Sequence, residues 1–546
     1  MFKNILSKKT FNTPYLVKAP KEEDFNFDLI EHYFKHKVQL DNFQIINDRI
    51  MNDIDFHELF RWIDRTHSKV GQQYFYNQLL TINNNLNFDD QENLIKYFIS
   101  KEAHRLKAQS LLSKLNKRNS YYISNLFLDG YIPKPKWFWV TGILSFTGFA
   151  ALILTFFYNQ VFVLLLFIYI INIAVHFWNK NNIIVYMDSI PQLPLLCCIA
   201  KIFTSMDFLH DSKKPVLSAV ASLNELKYVI KFFKSDTSIK SDIYLVILFF
   251  WEMIKVVLLI EPLVVFYVLK KLEVKKNNIQ VLFEYIGKID SALAVKAIRM
   301  EASCFCKPEF TKTHHSFGFI DIYHPLIPDC VPNSLQTNGK SILLTGSNMS
   351  GKTTFIRTVA INILLAQTIN TCFAKTFQLP QTRLFSAIRI SDDLLNDKSY
   401  YFEEVLTVKN MIAESSLPFN NVFLLDEIFK GTNTIERIAA GKAVLSCLAK
   451  SNNNIVFVST HDIELMDLLS DEYNFYHFTE TVHEKQIHFD YQLKTGKLYT
   501  KNAIRILEIN DYPEEVITEA RAITQMMQKA DKCFAFQYVN FVEKYD

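Results

Sequence analysis

One eight-residue segment has the composition and spacing of a phosphate-binding loop. Residues 346–353 read Gly-Ser-Asn-Met-Ser-Gly-Lys-Thr, which fits the pattern G-x-x-x-x-G-K-[ST]. Glycines at both ends let the backbone wrap closely around phosphate oxygens. Lys352 would reach the β- and γ-phosphates, and the Thr353 hydroxyl would ligate Mg²⁺. We therefore expect nucleotide contacts along the whole run, namely Gly346, Ser347, Asn348, Met349, Ser350, Gly351, Lys352, Thr353 and Thr354.

The segments on either side of this loop must position it. Residues 341–345 form an apolar run typical of a strand, and the residues from Lys352 onward favour a helix. A strand that leads into a loop at a helix N-terminus directs free backbone N–H groups and the positive end of the helix dipole at an anion. The alternative is a chance match in a glycine-bearing turn, which would not need this strand–loop–helix context.

Two further apolar runs end in residues that could hydrolyse a bound nucleotide. Residues 421–427 end in Asp426 and Glu427, and residues 455–461 end in His461. Ligands of parallel sheets bind at the carboxyl ends of the strands, so we expect these side chains to meet at one edge. Asp426 would hold the Mg²⁺ shell, Glu427 would polarise the attacking water, and His461 would sense the γ-phosphate. The alternative for His461 is a purely structural role.

Five segments, in order along most of the last 240 residues, resemble the MutS ATPases of DNA mismatch repair, within the wider ABC-type ATPase class. The first combines Ile322-Tyr-His-Pro-Leu-Ile and Val331-Pro-Asn with the phosphate-binding loop. The second resembles the family's signature segment, with Ser399 and Glu404 in register. In sequence order, the segments are 322–354, 392–404, 425–434, 459–465 and 502–520.

The resemblance implies an α/β P-loop ATPase domain that uses ATP and Mg²⁺. In such ATPases two subunits face head to tail, and the signature serine of one subunit completes the nucleotide site of the other. Ser399 would therefore act catalytically in trans, contacting the γ-phosphate held by a partner chain in a homodimer. The loop 431–434 would lie across the same interface.

The sequence departs from the family pattern at three places. The family usually has Gly where Ser350 stands, and Gly-Arg where Phe429-Lys430 stands. An aromatic residue commonly precedes the Val-Pro-Asn segment and stacks on adenine, whereas this chain has Cys330. The phosphate and magnesium chemistry is unaffected by these changes. Adenine recognition and signalling across the interface stay open.

Two neighbouring apolar stretches predict a transmembrane helical hairpin. Residues 137–158 are 22 residues without a formal charge, and residues 161–178 are 18 more. A bilayer core takes about 20 helical residues, so both can span it. Because the positive residues Lys134, Lys136 and Lys180 lie only on the outer flanks, both chain ends are expected in the cytoplasm. We expect a multi-pass protein of the inner (cytoplasmic) membrane with a cytoplasmic ATPase domain; the alternative is a buried helical hairpin inside a soluble domain.

A third apolar stretch, residues 245–269, is interrupted by Glu252, Lys255 and Glu261. A charge within a span costs about 2.5–3.5 kcal/mol on insertion scales, so three charges favour a helix packed against protein. A pair of re-entrant or short spans is the alternative.

The remaining patterns favour helices and complete the predicted organisation. Residues 56–79 have apolar residues at helical spacing with an interruption at Gly71, and residues 281–297 have similar spacing. Both resemble the helical core that precedes the ATPase in the family. The expected divisions are a leader at 1–44, an outgoing helical core at 45–136, the hairpin at 137–178, a returning helical core at 179–305, and the ATPase domain with C-terminal helices at 306–546.

The charge pattern leaves two functions open. The net charge is only +3, and the basic cluster within residues 101–118 favours anionic lipid or solvent over DNA. We expect no mismatch-reading domain ahead of residue 45. One function is a membrane-anchored, dimeric MutS-type ATPase that binds mismatched, branched or damaged DNA under nucleotide control. The other is a membrane-tethered ATPase that acts on a protein or membrane partner, with DNA binding lost.

Overall fold

The computed structural model describes most of the chain in two compact units. The first comprises Met1–Met51, Asp55–Phe305 and Leu364–Thr371, and the second comprises Asn52–Ile54, Cys306–Ile363 and Cys372–Asp546. The finer divisions expected within residues 1–305 stay a prediction. The described residues are 25–38, 42–128, 135–206, 208–226, 242–312, 317–347, 349–389, 400–483, 486–497, 503–510, 512–524 and 526.

In its described residues, the first unit is helical apart from one antiparallel pair of short strands, β1 Asn42–Ile45 and β2 Thr81–Asn83. Its long central helix packs against several others because its apolar residues recur around most of its surface. Its described α-helices are α1 Phe27–His36, α2 Asp48–Asp53, α3 Phe56–Ile63, α4 Lys69–Leu80, α5 Asp89–Ser100, α6 Glu102–Leu112, α7 Trp139–Leu154, α8 Val161–Ser189, α9 Leu193–Thr204, α10 His210–Asn224, α11 Asp242–Val257, α12 Ile260–Glu273 and the central helix α13 Lys276–Glu301.

The helix expected over residues 56–79 is two helices, and the break does not lie at Gly71. Helix α3 ends at Ile63, and α4 begins after Ser68, whose hydroxyl accepts a hydrogen bond from Gly71 N (2.9 Å). The fully buried Asp290 of α13 accepts hydrogen bonds from His67 N and Ser68 N (2.8 Å each). A Cβ at Gly71 would collide with the Asp290 carboxylate. The glycine therefore permits close packing within α4 instead of interrupting it.

The apolar stretches fold into four helices. In the described part of the chain, one helical segment is both long and apolar enough to cross a membrane, namely Lys136–Leu154. Of its most apolar stretch of 18 residues, 22% is buried. The apolar part of α8, Val161–Phe177, is shorter. The single packed helix favoured over residues 245–269 is wrong, because the chain breaks between α11 and α12, where Leu259 has φ of 45°.

The second unit is an α/β domain built on a six-stranded sheet with the order β14-β11-β6-β10-β9-β8. All neighbouring strands are parallel except β11 and β14. The central strands are buried and apolar between their polar end residues because a parallel sheet is covered on both faces. The bounds are β6 Ser341–Thr345, β8 Arg383–Ala387, β9 Asn421–Asp426, β10 Asn454–Ser459, β11 Tyr473–His477 and β14 Lys494–Thr495.

Helices and smaller sheets complete this unit. The helices are α14 Lys352–Ile369, α15 Tyr400–Ser415, α16 Thr434–Ala449, α17 Glu464–Leu468 and α18 Ala503–Ile509, followed by a helical segment at 514–524. A four-stranded sheet has the order β3-β7-β4-β5. Its strands are β3 Glu309–Thr311, β4 Gly318–Ile322, β5 Asn333–Gln336 and β7 Thr376–Pro380, and β12 Glu480–His483 pairs with β13 Gln486–Phe489.

Candidate functional site

The glycine-rich loop lies between the carboxyl end of β6 and the first turn of α14. Gly346 (φ 140°) and Gly351 (φ 104°) adopt backbone conformations that side chains disfavour. A Cβ at Gly346 would lie 2.7 Å from Phe478 O. The Ser350 hydroxyl donates to Ser347 O (2.7 Å), so a serine fits where the resemblance suggested Gly. Of the predicted loop residues, Asn348 lies outside the described residues.

Lys352 is held within the loop by neutral acceptors. Its Nζ donates to Gly346 O (2.7 Å) and Ser347 O (2.9 Å), and only 3% of the residue is exposed. Burial lowers the pKa of Lys352, while the carboxylates of Glu427 and Asp426 partly oppose that shift. A phosphate oxygen is a stronger acceptor for an ammonium group than a carbonyl. The side chain therefore lies ready for an anion in the loop.

The hydroxyl and carboxylate predicted to share a magnesium ion are in contact. Thr353 Oγ1 donates to Asp426 Oδ2 (2.7 Å), and the Ser459 hydroxyl donates to Asp426 Oδ1. The parallel register pairs Asp426 with Ser459, so sheet geometry fixes this arrangement. Within the described chain, no group of three or more His, Cys, Asp or Glu could hold a metal. A Thr–Asp pair fits Mg²⁺, which takes few protein ligands and completes its shell with phosphate and water.

Glu427 and His461 meet at the same edge of the sheet. His461 Nε2 lies 3.0 Å from Glu427 Oε1, and Lys430 Nζ lies 2.9 Å from Glu427 Oε2. Burial alone would raise the pKa of Glu427, but hydrogen bonds from His461 and Lys430 outweigh it and hold the pKa at about 2. Glu427 is therefore an ionised carboxylate, one residue beyond Asp426, the predicted magnesium ligand. His461 follows β10, which ends at Ser459.

A buried carboxylate, which has no role predicted from the sequence, stabilises the backbone at this edge of the sheet. Glu404 of α15 is 2% exposed, and its Oε1 accepts a hydrogen bond from Phe429 N (2.6 Å). Burial raises the pKa of Glu404, and the hydrogen bond from Phe429 opposes that shift. Glu404 thus fixes the backbone between Glu427 and Lys430. Ser399, the predicted signature serine, lies outside the described residues.

A cavity of about 610 Å³ adjoins the loop. Its lining includes Gly351, Thr353 and Thr354 of the loop and α14, together with Cys330, Phe489 and Tyr491. The Phe489 and Tyr491 rings are stacked, with centroids 5.9 Å apart. Tyr491 is 46% exposed, so part of its ring is free to contact a ligand. An aromatic platform therefore stands beside Cys330.

Tyr491 could not be recognised from the sequence because a distant residue holds it in place. The Asn333 amide donates to Tyr491 O (3.0 Å), and Asn333 Oδ1 accepts from Leu493 N (2.7 Å). Asn333 belongs to the Val331-Pro-Asn segment that carried part of the resemblance. The available signal was the pair of aromatics at alternate positions, Phe489 and Tyr491, next to a short strand.

Together these features define a phosphate-binding-loop nucleotide domain: a strand, a loop and a helix N-terminus, a Thr–Asp pair, and a Glu–His pair. Residues 342–528 match the family model for MutS domain V. This match confirms the resemblance for the ATPase domain and extends through α18 and the helical segment after it.

Individual relatives each match about half of the chain. It is 30% identical to the DNA mismatch repair protein MutS of Bacillus pumilus over 259 residues, 45% of this chain and 29% of that protein. The protein of the same name from Bacillus licheniformis is 30% identical over 47% of this chain and 30% of its own length. That from Staphylococcus aureus strain RF122 is 26% identical over 50% and 32%. The chain thus spans about a third of the length of these curated relatives.

Proposed function

We propose that this protein binds ATP with Mg²⁺ and hydrolyses it at the carboxyl edge of the six-stranded sheet. The observation that carries the proposal is the meeting of two pairs there: Thr353 with Asp426, and Glu427 with His461.

Each side chain has one task in this proposal. Thr353 and Asp426 would hold Mg²⁺, which when bound neutralises charge on the β- and γ-phosphates. Lys352 moves its donors from the loop carbonyls to phosphate oxygens. Glu427 orients the attacking water, and His461 holds Glu427 and lies where it can respond to the γ-phosphate. Purified full-length protein should hydrolyse ATP, and chelating Mg²⁺ should abolish the reaction; equal hydrolysis with and without Mg²⁺ would reject the assignment.

The cavity beside Cys330 would take the adenine. Stacking of a base on an aromatic side chain contributes about 1–3 kcal/mol. The exposed face of Tyr491 can supply this stacking, so Cys330 need not do so. Adenine recognition in this chain would then rest on residues 489–491 instead of the residue before Val331.

The active form is proposed to be a homodimer through the ATPase domains, with Ser399 of each chain completing the site of the other. The support for this is the match to MutS domain V together with the position of Ser399 in the signature segment. The Glu404 contact with Phe429 offers a route by which that segment can affect Glu427.

We also propose that the first unit anchors the protein in the inner membrane through α7 and α8, with the ATPase domain in the cytoplasm. Both helices expose many large apolar side chains, a composition that water disfavours and lipid accommodates. These include Trp139, Phe146 and Phe149 on α7, and Phe162 and Phe167 on α8. The protein should resist extraction by high salt and alkaline carbonate, and deleting residues 137–178 should release a soluble ATPase. Solubility of the full chain without detergent would reject the anchor.

The output of the ATPase has two candidates. Similarity to proteins named for DNA mismatch repair favours DNA binding under nucleotide control. The exposed apolar faces of α7 and α8 favour action on a membrane or protein partner. DNA binding by purified protein, measured against salt concentration with and without ATP, separates them. Nucleotide-dependent binding to mismatched or branched DNA supports the first, and no binding at low salt supports the second.

A further inference from the structure

The break between α11 and α12 is built into the apolar helices. Leu259 is fully buried and has φ of 45°, a left-handed conformation that ends the α-helical hydrogen bonding of α11. The last carbonyls of a helix have no partner within it, and in apolar surroundings an unsatisfied carbonyl is costly. The carbonyls of Val257 and Leu258 therefore need donors from elsewhere.

Side chains of α7 and α8 supply those donors. Ser145 Oγ donates to Leu258 O (2.6 Å), and Asn172 Nδ2 donates to Val257 O (2.7 Å). Asn172 is fully buried. Gly148 lets the break approach closely, since a Cβ there would lie 2.6 Å from Val257 O. Ser145 and Gly148 of α7 and Asn172 of α8 thus form the contact surface for the break, which we call the cradle.

Two of the three charges that argued against insertion are paired beside this break. Lys255 Nζ lies 3.5 Å from Glu261 Oε1, and His176 Nδ1 of α8 lies 3.7 Å from Glu261 Oε2. Lys255 is only 7% exposed. Ionisable groups within a membrane face protein and pair with one another. The insertion cost counted from the sequence is therefore reduced by these contacts.

The described exposed side chains of the two helices are apolar as far as Tyr267, and the exposed charges lie in the last turn of α12. Phe249, Phe250, Trp251, Ile254 and Tyr267 are all exposed, with Trp251 at 42%. Their charged neighbours Lys255 and Glu261 point inward. This segregation, with charges inside and aromatics outside, is the reverse of a helix pair that faces water.

Length and direction decide how the pair can lie in a bilayer. Helix α11 has 16 residues and α12 has 14, or about 24 and 21 Å, so each is too short for a core of about 30 Å. Helices α11 and α12 lie between α10 and α13 in the sequence, and α10 and α13 pack together. The chain therefore leaves and rejoins the same helical core. The ring of Phe266 in α12 packs against the ring of Phe138, the residue before α7, with centroids 4.7 Å apart. The break lies beside Gly148, further along α7. Helix α12 therefore runs from the break back toward the side at which α7 begins. Its last turn is basic, as expected at a cytoplasmic surface.

We infer that Asp242–Val257 and Ile260–Glu273 form a re-entrant helical pair that enters the bilayer from the cytoplasmic side and contacts lipid acyl chains, with the break at its deepest point. The inference rests on the proposed membrane anchoring by α7 and α8. It makes the membrane unit a four-helix assembly in which Ser145 and Asn172 satisfy the carbonyls of the break.

Fluorescence quenching of single-tryptophan variants by brominated lipid tests this inference. The full-length protein is reconstituted in phosphatidylcholine–phosphatidylglycerol vesicles with mid-chain brominated lipid. One variant retains only Trp251, a second retains only Trp139 on α7, and a third retains only Trp62 of α3; the other tryptophans are changed to Phe. We expect bromine to quench Trp251 and Trp139 and to leave Trp62 unaffected.

The outcomes separate the two proposals. Quenching of Trp139 without Trp251 keeps the α7–α8 anchor and overturns the re-entrant pair. Quenching of neither overturns both.

Two glycines on one helix give a matched control for the cradle. In the Trp251-only protein, Gly148→Ala should displace the break and reduce the quenching of Trp251. Gly142→Ala should not, because a Cβ at Gly142 meets nothing within 4 Å. In the Trp139-only protein, both variants should keep the quenching of Trp139. Equal Trp251 quenching in the two glycine variants would overturn the cradle.

Discussion

Glu427→Gln should separate ATP binding from ATP hydrolysis. The substitution keeps the shape of the side chain and removes the charge that we propose orients the attacking water. Positioned acid–base groups contribute about 10²- to 10⁴-fold to a rate, so kcat should fall by that factor, or about 3–5 kcal/mol of activation free energy. ATP should bind as well as or better than in the wild type, since a negative charge near the phosphates is removed. Steady-state hydrolysis and equilibrium nucleotide binding measure the two quantities.

The pH dependence of this effect follows from the ion pairs of Glu427. His461 and Lys430 outweigh the effect of burial and hold its pKa at about 2, below the ordinary value of 4.5. A lowered pKa keeps the carboxylate ionised at every pH above that value. The ratio of wild-type to Glu427→Gln rates should therefore stay constant from about pH 5 to about pH 8.

The control is Glu472→Gln, which removes a carboxylate at the opposite edge of the sheet, where Glu472 O accepts from Ser341 N. This variant should hydrolyse ATP at the wild-type rate. Wild-type turnover in Glu427→Gln, or a rate ratio that approaches one as the pH falls to about 5, would refute the proposed role.

Three further experiments test other parts of the site. Glu404→Ala should cost about 1–3 kcal/mol of stability by orphaning Phe429 N, and should lower kcat more than it alters KM; Glu404→Gln, which can still accept that hydrogen bond, should recover most of both. Tyr491→Ala should raise the ATP Kd about 5- to 150-fold through lost stacking, and Tyr491→Phe should restore it, as titration with ATP would show. Ser399→Arg and Lys352→Ala should each be inactive alone, while mixed dimers should regain some hydrolysis; no recovery once mixed dimers are shown to form would argue against shared sites.

The nucleotide domain could be predicted closely from sequence because its signals are local. The expected strand over residues 341–345 is β6, and the helix from Lys352 is α14. Glycine spacing, apolar strands and strand-end carboxylates are all short-range patterns. The parallel arrangement then places Asp426 and Glu427 beside the loop without further information.

The misplaced and missed features depend on partners distant in the sequence. The break before α4 is set by Asp290, more than 200 residues further along. The break at Leu259 depends on Ser145 and Asn172, which no local pattern connects to it. Tyr491 is similarly placed by Asn333. Periodicity detects a helix, but it does not show which residue of another helix interrupts it.

Equilibrium binding of ATP in the presence of Mg²⁺ tests the central claim most directly. Wild-type protein is compared with Lys352→Ala and with Lys450→Ala, which removes an exposed lysine at the end of α16. A hydrogen bond to a charged group contributes about 1.5–3 kcal/mol, so Lys352→Ala should weaken binding about 10- to 150-fold. Lys450→Ala should bind as the wild type does. Equal affinity in all three proteins would contradict the assignment of residues 346–353 as the ATP site.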